Sequence, residues 1–256
     1  MTVLIAGTHN SRDTGGMPLR DGGSTRADVL FRSDALATVT DDGLRVIAEG
    51  PIGAVVDFRT DVERADAADR LPSGAAIRTV ELSVLEGAMS APRPEDMTPE
   101  VLRELMARIP TLPDLYVGML QHGAAAFAEV ARLVARPSDP ARGGVLVHCT
   151  AGKDRTGIAT ALLLDAVGAE RTAIVADYAA SEANLAGEWA DRMLARVSGW
   201  GVPIIPAVTD LITATPPAAM ETALAWIDGN GGSAAYLSEG GLSDAELDDL
   251  RSRLTA

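Results

Sequence analysis

The stretch Val145-Leu-Val-His148-Cys149-Thr-Ala-Gly-Lys-Asp-Arg155-Thr-Gly157, continued by Ile158-Ala-Thr-Ala-Leu-Leu-Leu-Asp-Ala-Val167 and closed at Gly168, decides how the chain is read. Three apolar residues, two of them β-branched, predict a short buried strand at 145–147, and the run 158–167 predicts a helix with glycine at its end. The loop between them has room only to turn from strand to helix. A turn of this kind leaves backbone N–H groups unpartnered, and they converge with the N–H groups of the first helical turn. The amides from Thr150 through Ala151, Gly152, Lys153 and Asp154 to Arg155 therefore read as a cradle for a tetrahedral anion. Gly152 supplies the backbone freedom of a tight loop. Arg155 offers a bidentate fork to two anion oxygens, a geometry lysine cannot copy. The same field favours thiolate over thiol at Cys149. A thiolate held beneath a bound phosphoryl group is an activated nucleophile.

Working outward, Cys149 is the one cysteine among 256 residues, so no intramolecular disulfide can form. The 22 basic residues stand against 36 acidic ones, a net charge of −14. That balance speaks against a surface devoted to nucleic acid or anionic membrane, while leaving room for one small basic pocket. The apolar run from Ile158 to Ala180 is broken by Asp165, Glu170, Arg171 and Asp177, so no membrane span is predicted. Met1 to Ala6 has neither a basic flank nor a cleavage pattern. A cytoplasmic location is expected, with export lacking a recognisable signal left open.

Further strands are expected at Val29–Phe31, Gly53–Phe58 and Ile77–Val84. Helices are expected from Asp41 or Asp42 to Gly50, from Thr60 or Asp61 onward, from Thr98-Pro-Glu100, and over Asp114–Ala135. The chain after Gly168 is mostly helical, and Ser243-Asp-Ala-Glu246 is a capping box. Strands alternating with helices predict an α/β fold, a central sheet flanked by helices, with a helix-rich C-terminal third. The length suits one domain over residues 1–256. Residues 85–120 start irregularly and then carry Leu102 and Met106, which fits a lid insertion or a core-facing helix equally. Asp57 with Arg59, and Arg12 and Asp13 with Arg32, read either as structural ion pairs or as groups that orient the loop. Gly152-Lys-Asp also borders the nucleotide-binding pattern, but that pattern needs glycine at Val147 and a hydroxyl at Asp154.

His148-Cys149, five residues, Arg155-Thr156-Gly157 resembles the phosphate loop of cysteine-dependent protein-tyrosine phosphatases. The fuller string, with Ile174-Val-Ala-Asp-Tyr178 downstream, resembles the bacterial atypical tyrosine/phosphoinositide phosphatases, some of them secreted by pathogens. Asn10-Ser-Arg-Asp13, Leu30-Phe-Arg-Ser33 and Val56-Asp-Phe-Arg59 are similar to other segments of that family. Ser11 stands where the family usually has an aromatic residue.

The resemblance implies a protein-tyrosine-phosphatase-like sheet and a two-step, metal-independent hydrolysis without a cofactor. It implies Cys149 as nucleophile, Arg155 and the amides of 150–157 as phosphate binders, and Thr156 as hydrogen-bond donor to the departing sulfur. His148 would orient the loop from beneath. Asp154 is the favoured general acid, with Glu86 and Asp61 as alternatives. Lys153 adds a second cation, which suits phosphoinositides beside phosphotyrosine and phosphoserine/threonine. Expected partners are phosphorylated proteins or phosphoinositides, with inorganic phosphate or vanadate as simple occupants of the loop. A pocket that binds a phosphorylated ligand without turnover, or a rhodanese-like sulfurtransferase, would be the competing functions.

Overall fold

Alternation along the strand before the cysteine sets the layers. The computed structural model describes residues 4–84 and 98–256. In β5 (Gly144–His148) Val145 and Val147 enter one buried apolar cluster and Leu146 the other, as the two-residue period of a strand requires. Five strands form the sheet in the order β1-β2-β5-β3-β4, so β5 is central. The others are β1 (Arg12–Asp13), β2 (Leu30–Ser33), β3 (Ile52–Asp57) and β4 (Arg78–Glu81). Pairings among β2, β5, β3 and β4 are parallel, and β1 joins β2 antiparallel. In β3, Ile52 and Val55 share a face although three residues apart. A register shift between Ile52 and Ala54 permits this. Gly53 sits at the shift, where a Cβ would meet the Arg142 carbonyl oxygen at 1.9 Å.

The smaller cluster is covered by α1 (Asp41–Glu49), through Ile47 and Leu44. Thr40, rather than Asp41 or Asp42, is its cap, accepting from Gly43 N–H. The two aspartates instead occupy the first turn, where they face the positive end of the helix dipole. α2 (Asp61–Asp66) starts in a capping box between Thr60 and Glu63. The larger cluster is built by α4 (Leu112–Ala135), α5 (Arg155–Ala166), α6 (Arg171–Leu185), α9 (Pro217–Gly229), α10 (Ser233–Glu239) and α11 (Asp244–Leu254). Two further helices, α7 (Glu188–Gly199) and α8 (Pro206–Thr213), lie between α6 and α9 in sequence. The expected α/β sheet flanked by helices is therefore what the chain forms, with an all-helical last third.

α5 begins at Arg155, three residues before the apolar pattern suggested, and every residue from Arg155 to Asp165 is buried. A helix wrapped on all sides has no polar stripe to mark its ends. Of the segment considered as a lid, residues 85–97 lie outside the described residues. α3 (Pro99–Ala107) begins after Thr98, whose hydroxyl accepts from Val101 N–H. Residues 112–120 are the start of α4, with Leu115, Tyr116, Met119 and Leu120 buried in the larger cluster. That part is core packing. Among the described residues no helix is long and apolar enough to cross a membrane.

Candidate active site

The loop from Cys149 to Asp154 is held from outside by its carbonyl groups. Ala35 N–H donates to the Thr150 carbonyl at 3.1 Å. Asn10 Nδ2 donates to the carbonyls of Ala151 and Gly152, both at 3.1 Å, and Arg32 Nη2 reaches the Gly152 carbonyl at 2.7 Å. In a planar trans peptide the N–H points opposite to the C=O. With three successive carbonyls turned outward, the N–H groups of Ala151, Gly152 and Lys153 turn inward. Gly152 N–H accordingly lies 3.3 Å from Cys149 Sγ. Gly152 has φ +68°, and a Cβ there would stand 2.2 Å from the Ser33 carbonyl oxygen. Glycine is required both by the left-handed backbone and by the close approach to β2.

The distant segments marked in the sequence meet beneath this loop. Arg12 donates through Nη1 to the Asn10 carbonyl and side chain, and through Nε to Asp177 at 2.6 Å. Asp177 accepts from Arg32 Nη1 at 2.5 Å on its other oxygen. Burial disfavours charge on Asp177, yet the Arg32 and Arg12 charges hold its carboxyl below the usual carboxylate range. Burial and then the neighbouring Arg32 lower the Arg12 guanidinium to about 10. Arg12 and Arg32, read two ways from sequence, are thus buried clasps on the loop, 3% and 1% exposed.

A second buried network lies at the ends of β3 and β5. Arg59 Nη2 pairs with Asp57 and Asp69, both at 2.8 Å. His148 is fully buried, with Nδ1 3.3 Å from the Cys149 carbonyl oxygen. Its Nε2 lies 3.1 Å from Asp69 Oδ2, an ion-pair distance without the alignment of a hydrogen bond. Burial opposes ionisation of Asp69, but His148 and Arg59 keep its carboxyl below the ordinary range. Asp57, Asp69 and His148 place ligand-type atoms within 4.8 Å of one another. Arg59 pairs with both carboxylates, and the cluster packs against the start of the loop through His148.

Glu63, which the sequence reading passed over, reaches the loop from α2. Its two oxygens accept from both terminal nitrogens of Arg155 at 2.7 Å, and Thr150 Oγ1 donates to it at 2.5 Å. Burial pushes its carboxyl upward, but the bonds and charge of Arg155, with Thr150 and Thr60, hold it down to about 2. Arg155 is correspondingly raised, its own burial outweighed by Glu63 and Cys149. The capping box Thr60-x-x-Glu63 was the available signal, but it announces a helix start and not a partner for Arg155.

Cys149 is 1% exposed and is a free thiol. Thr156 is buried, and its hydroxyl has no partner among the described residues. Gly157 lies in the first turn of α5 beside Tyr178 and Arg32. Asp154 is the N-cap position of α5, yet its side chain makes no cap bond and instead accepts from Tyr116 Oη at 2.8 Å. Asp61 is 94% exposed and paired with Arg64 on α2. Glu86 lies outside the described residues.

Lys153, expected to add a second cation beside Arg155, has its ammonium tied to backbone carbonyls and 3.4 Å from Asp154 Oδ1. Nζ donates to the carbonyls of Leu211 and Ala214 at 2.8 and 3.0 Å, at the C-terminal end of α8. The negative end of a helix dipole attracts the ammonium, and the residue is 1% exposed.

The chain is similar in sequence to known proteins. A family model described as the tyrosine phosphatase family matches residues 3–256. A protein of Cupriavidus necator named as a tyrosine-protein phosphatase is 32% identical over 230 residues, 88% of this chain and 78% of that protein. A tyrosine-protein phosphatase of Nostoc commune is 34% identical over 163 residues, 63% of this chain and 51% of that protein. The triple specificity protein phosphatase PtpB of Mycobacterium tuberculosis is 68% identical over 34 residues, 13% of this chain and 12% of that protein. On the full-length family match and the Cupriavidus relative, the chain belongs to the tyrosine phosphatase family.

Proposed function

We propose that this protein hydrolyses phosphate monoesters, phosphotyrosine first among them, through a phosphocysteine intermediate on Cys149. The observation that carries the reading is the Gly152 N–H 3.3 Å from Cys149 Sγ, in a loop whose successive carbonyls are bonded outward and whose amides therefore turn inward. Those donors match the equatorial oxygens of a phosphoryl group as charge redistributes in the transition state. Arg155 Nε makes no hydrogen bond among the described residues, and we assign it to the same oxygens.

In the first step the thiolate attacks phosphorus, the S–P bond forms, and the P–O bond to the leaving group breaks. Asp154 gives its proton to the leaving oxygen. In the second step the Asp154 carboxylate takes a proton from water, which attacks phosphorus and releases the thiolate and inorganic phosphate. Thr156, with its buried free hydroxyl, stabilises the departing sulfur. Phosphotyrosine is favoured over phosphoinositides because the cation that would read a second phosphate, Lys153, is turned to α8. One relative is named a triple specificity protein phosphatase, so a wider panel, with phosphoserine/threonine peptides and phosphoinositides, is the next to assay.

The test is hydrolysis of p-nitrophenyl phosphate in EDTA, with vanadate as inhibitor and Cys149→Ser as control. Turnover should survive EDTA, be blocked by vanadate, and fall on the order of 10³-fold or more in the serine variant. Undiminished turnover in that variant would overturn the covalent mechanism. Phosphate binding without turnover by the unaltered protein would make it a phospho-ligand binding module.

A further inference from the structure

Two buried tyrosines from different helices end on Asp154. Tyr116 of α4 and Tyr178 of α6 are 0% and 1% exposed, and their rings pack edge to face with centroids 5.9 Å apart. Their hydroxyls are 2.7 Å apart, and Tyr116 donates to Asp154 Oδ1 at 2.8 Å. A phenol has one proton. Since Tyr116 spends its proton on Asp154, Tyr178 must donate to Tyr116, and the chain runs one way from Tyr178 through Tyr116 to Asp154. Lys153 Nζ lies 3.4 Å from the same Oδ1. Oδ2 receives no hydrogen bond among the described residues.

The position of Asp154 makes this chain informative. An aspartate at a helix N-cap ordinarily turns its oxygen onto the N–H groups of the first turn. Here it does not, and those N–H groups remain available to an anion. Tyr116 draws the carboxyl away from the helix end and so keeps it from filling the cradle it serves. We propose that Tyr116, fixed in direction by Tyr178, is a positioning residue for the general acid: it occupies Oδ1, so that the proton passed to the leaving group sits on Oδ2. This rests on Asp154 being the acid.

The step balances without the tyrosines losing a proton. Asp154 Oδ2–H gives its proton to the leaving oxygen, and the resulting carboxylate keeps its Tyr116 bond until it takes a proton from water. Burial and then the Asp154 charge push Tyr116 well above the ordinary tyrosine range, so it remains a donor throughout the working pH range. Among the described residues, the charged and titratable groups facing Asp154 are Lys153 and Arg155 of its own loop and helix, Tyr116 of α4 and Tyr178 of α6.

The experiment compares kcat/KM against pH for the full chain and for Tyr116→Phe, Tyr178→Phe and Asp154→Asn, using p-nitrophenyl phosphate and phenyl phosphate. Tyr116→Phe removes a donor that favours the ionised carboxylate, so its basic limb should lie at higher pH than that of the unaltered protein. Phenyl phosphate, with its poorer leaving group, should lose on the order of tenfold more than p-nitrophenyl phosphate. Tyr178→Phe keeps Tyr116 and should shift the limb in the same direction by less, which keeps the idea testable if Tyr116→Phe folds poorly. If Asp154→Asn flattens the basic limb while both tyrosine variants match the unaltered protein, the positioning role is overturned and the acid assignment stands. If Asp154→Asn leaves the limb in place, the acid assignment fails and this proposal with it.

Discussion

Glu63 grips Arg155 with both carboxylate oxygens, each 2.7 Å from a different terminal nitrogen, across 92 residues of chain. The pairing fixes the plane of the guanidinium and leaves Nε without a hydrogen bond among the described residues. Glu63→Gln keeps the shape and removes the charge. Hydrogen bonds to a charged group contribute about 1.5–3 kcal/mol, so kcat/KM should fall about 10–100-fold. Steady-state kinetics on p-nitrophenyl phosphate checks this, and a variant as active as the unaltered protein refutes it.

The same carboxylate gives a signature in acid. Its folded value of about 2 lies below its ordinary 4.5, so its contribution to stability is complete above about 4.5 and is lost as pH falls toward 2. Urea unfolding at a series of pH values should therefore steepen in this window for the unaltered protein. Glu63→Gln should lack that component, and parallel pH curves for the two proteins would show that it is absent.

Gly152→Ala should be costly in both stability and activity. The backbone there is left-handed, and the added methyl would press on the Ser33 carbonyl oxygen and the Asp34 amide. Strain and overpacking together predict a loss of about 2–4 kcal/mol. Chemical denaturation measures it. A loss under about 0.5 kcal/mol, within the range of a neutral surface substitution, would mean that the loop approaches β2 less closely than described.

Asp177→Asn would leave Arg12 and Arg32 buried without their counter-charge. Breaking such a buried pair costs about 3–5 kcal/mol. The melting temperature should drop by many degrees, with the loop loosened as Arg12 loses its hold on Asn10. An unchanged melting temperature would show the charges to be compensated elsewhere.

Lys153→Met tests the orientation of the one lysine in the loop. Its ammonium caps the end of α8, so the variant should lose stability through that contact. KM for a phosphotyrosine peptide and for a phosphoinositide should change by the same factor, within about twofold, a free-energy difference under about 0.5 kcal/mol. A selective rise in KM for the phosphoinositide would place Lys153 over the substrate after all.

By itself the sequence determined the parts whose partners are near in the chain. The turn from Val147 to Ile158 has its strand, its glycine, its nucleophile candidate and its arginine within a dozen residues, and the geometry of a strand-to-helix turn needs nothing further to suggest an anion cradle. The capping box at Ser243 was legible for the same reason. Tertiary structure alone decided which distant groups work on that cradle. Arg12, Arg32 and Asp177 could each have been surface charges, and packing made them a buried clasp. No local period marks Glu63 or Tyr116, because their partners lie 92 and 38 residues away and meet only when α2 and α4 dock on the sheet. Lys153 carries a flexible four-carbon stem that can turn several ways, and the carbonyl end of α8 settled which. The local loop supplies the proposed anion site, and the docked helices orient Arg155 and hold Asp154 clear of the helix end.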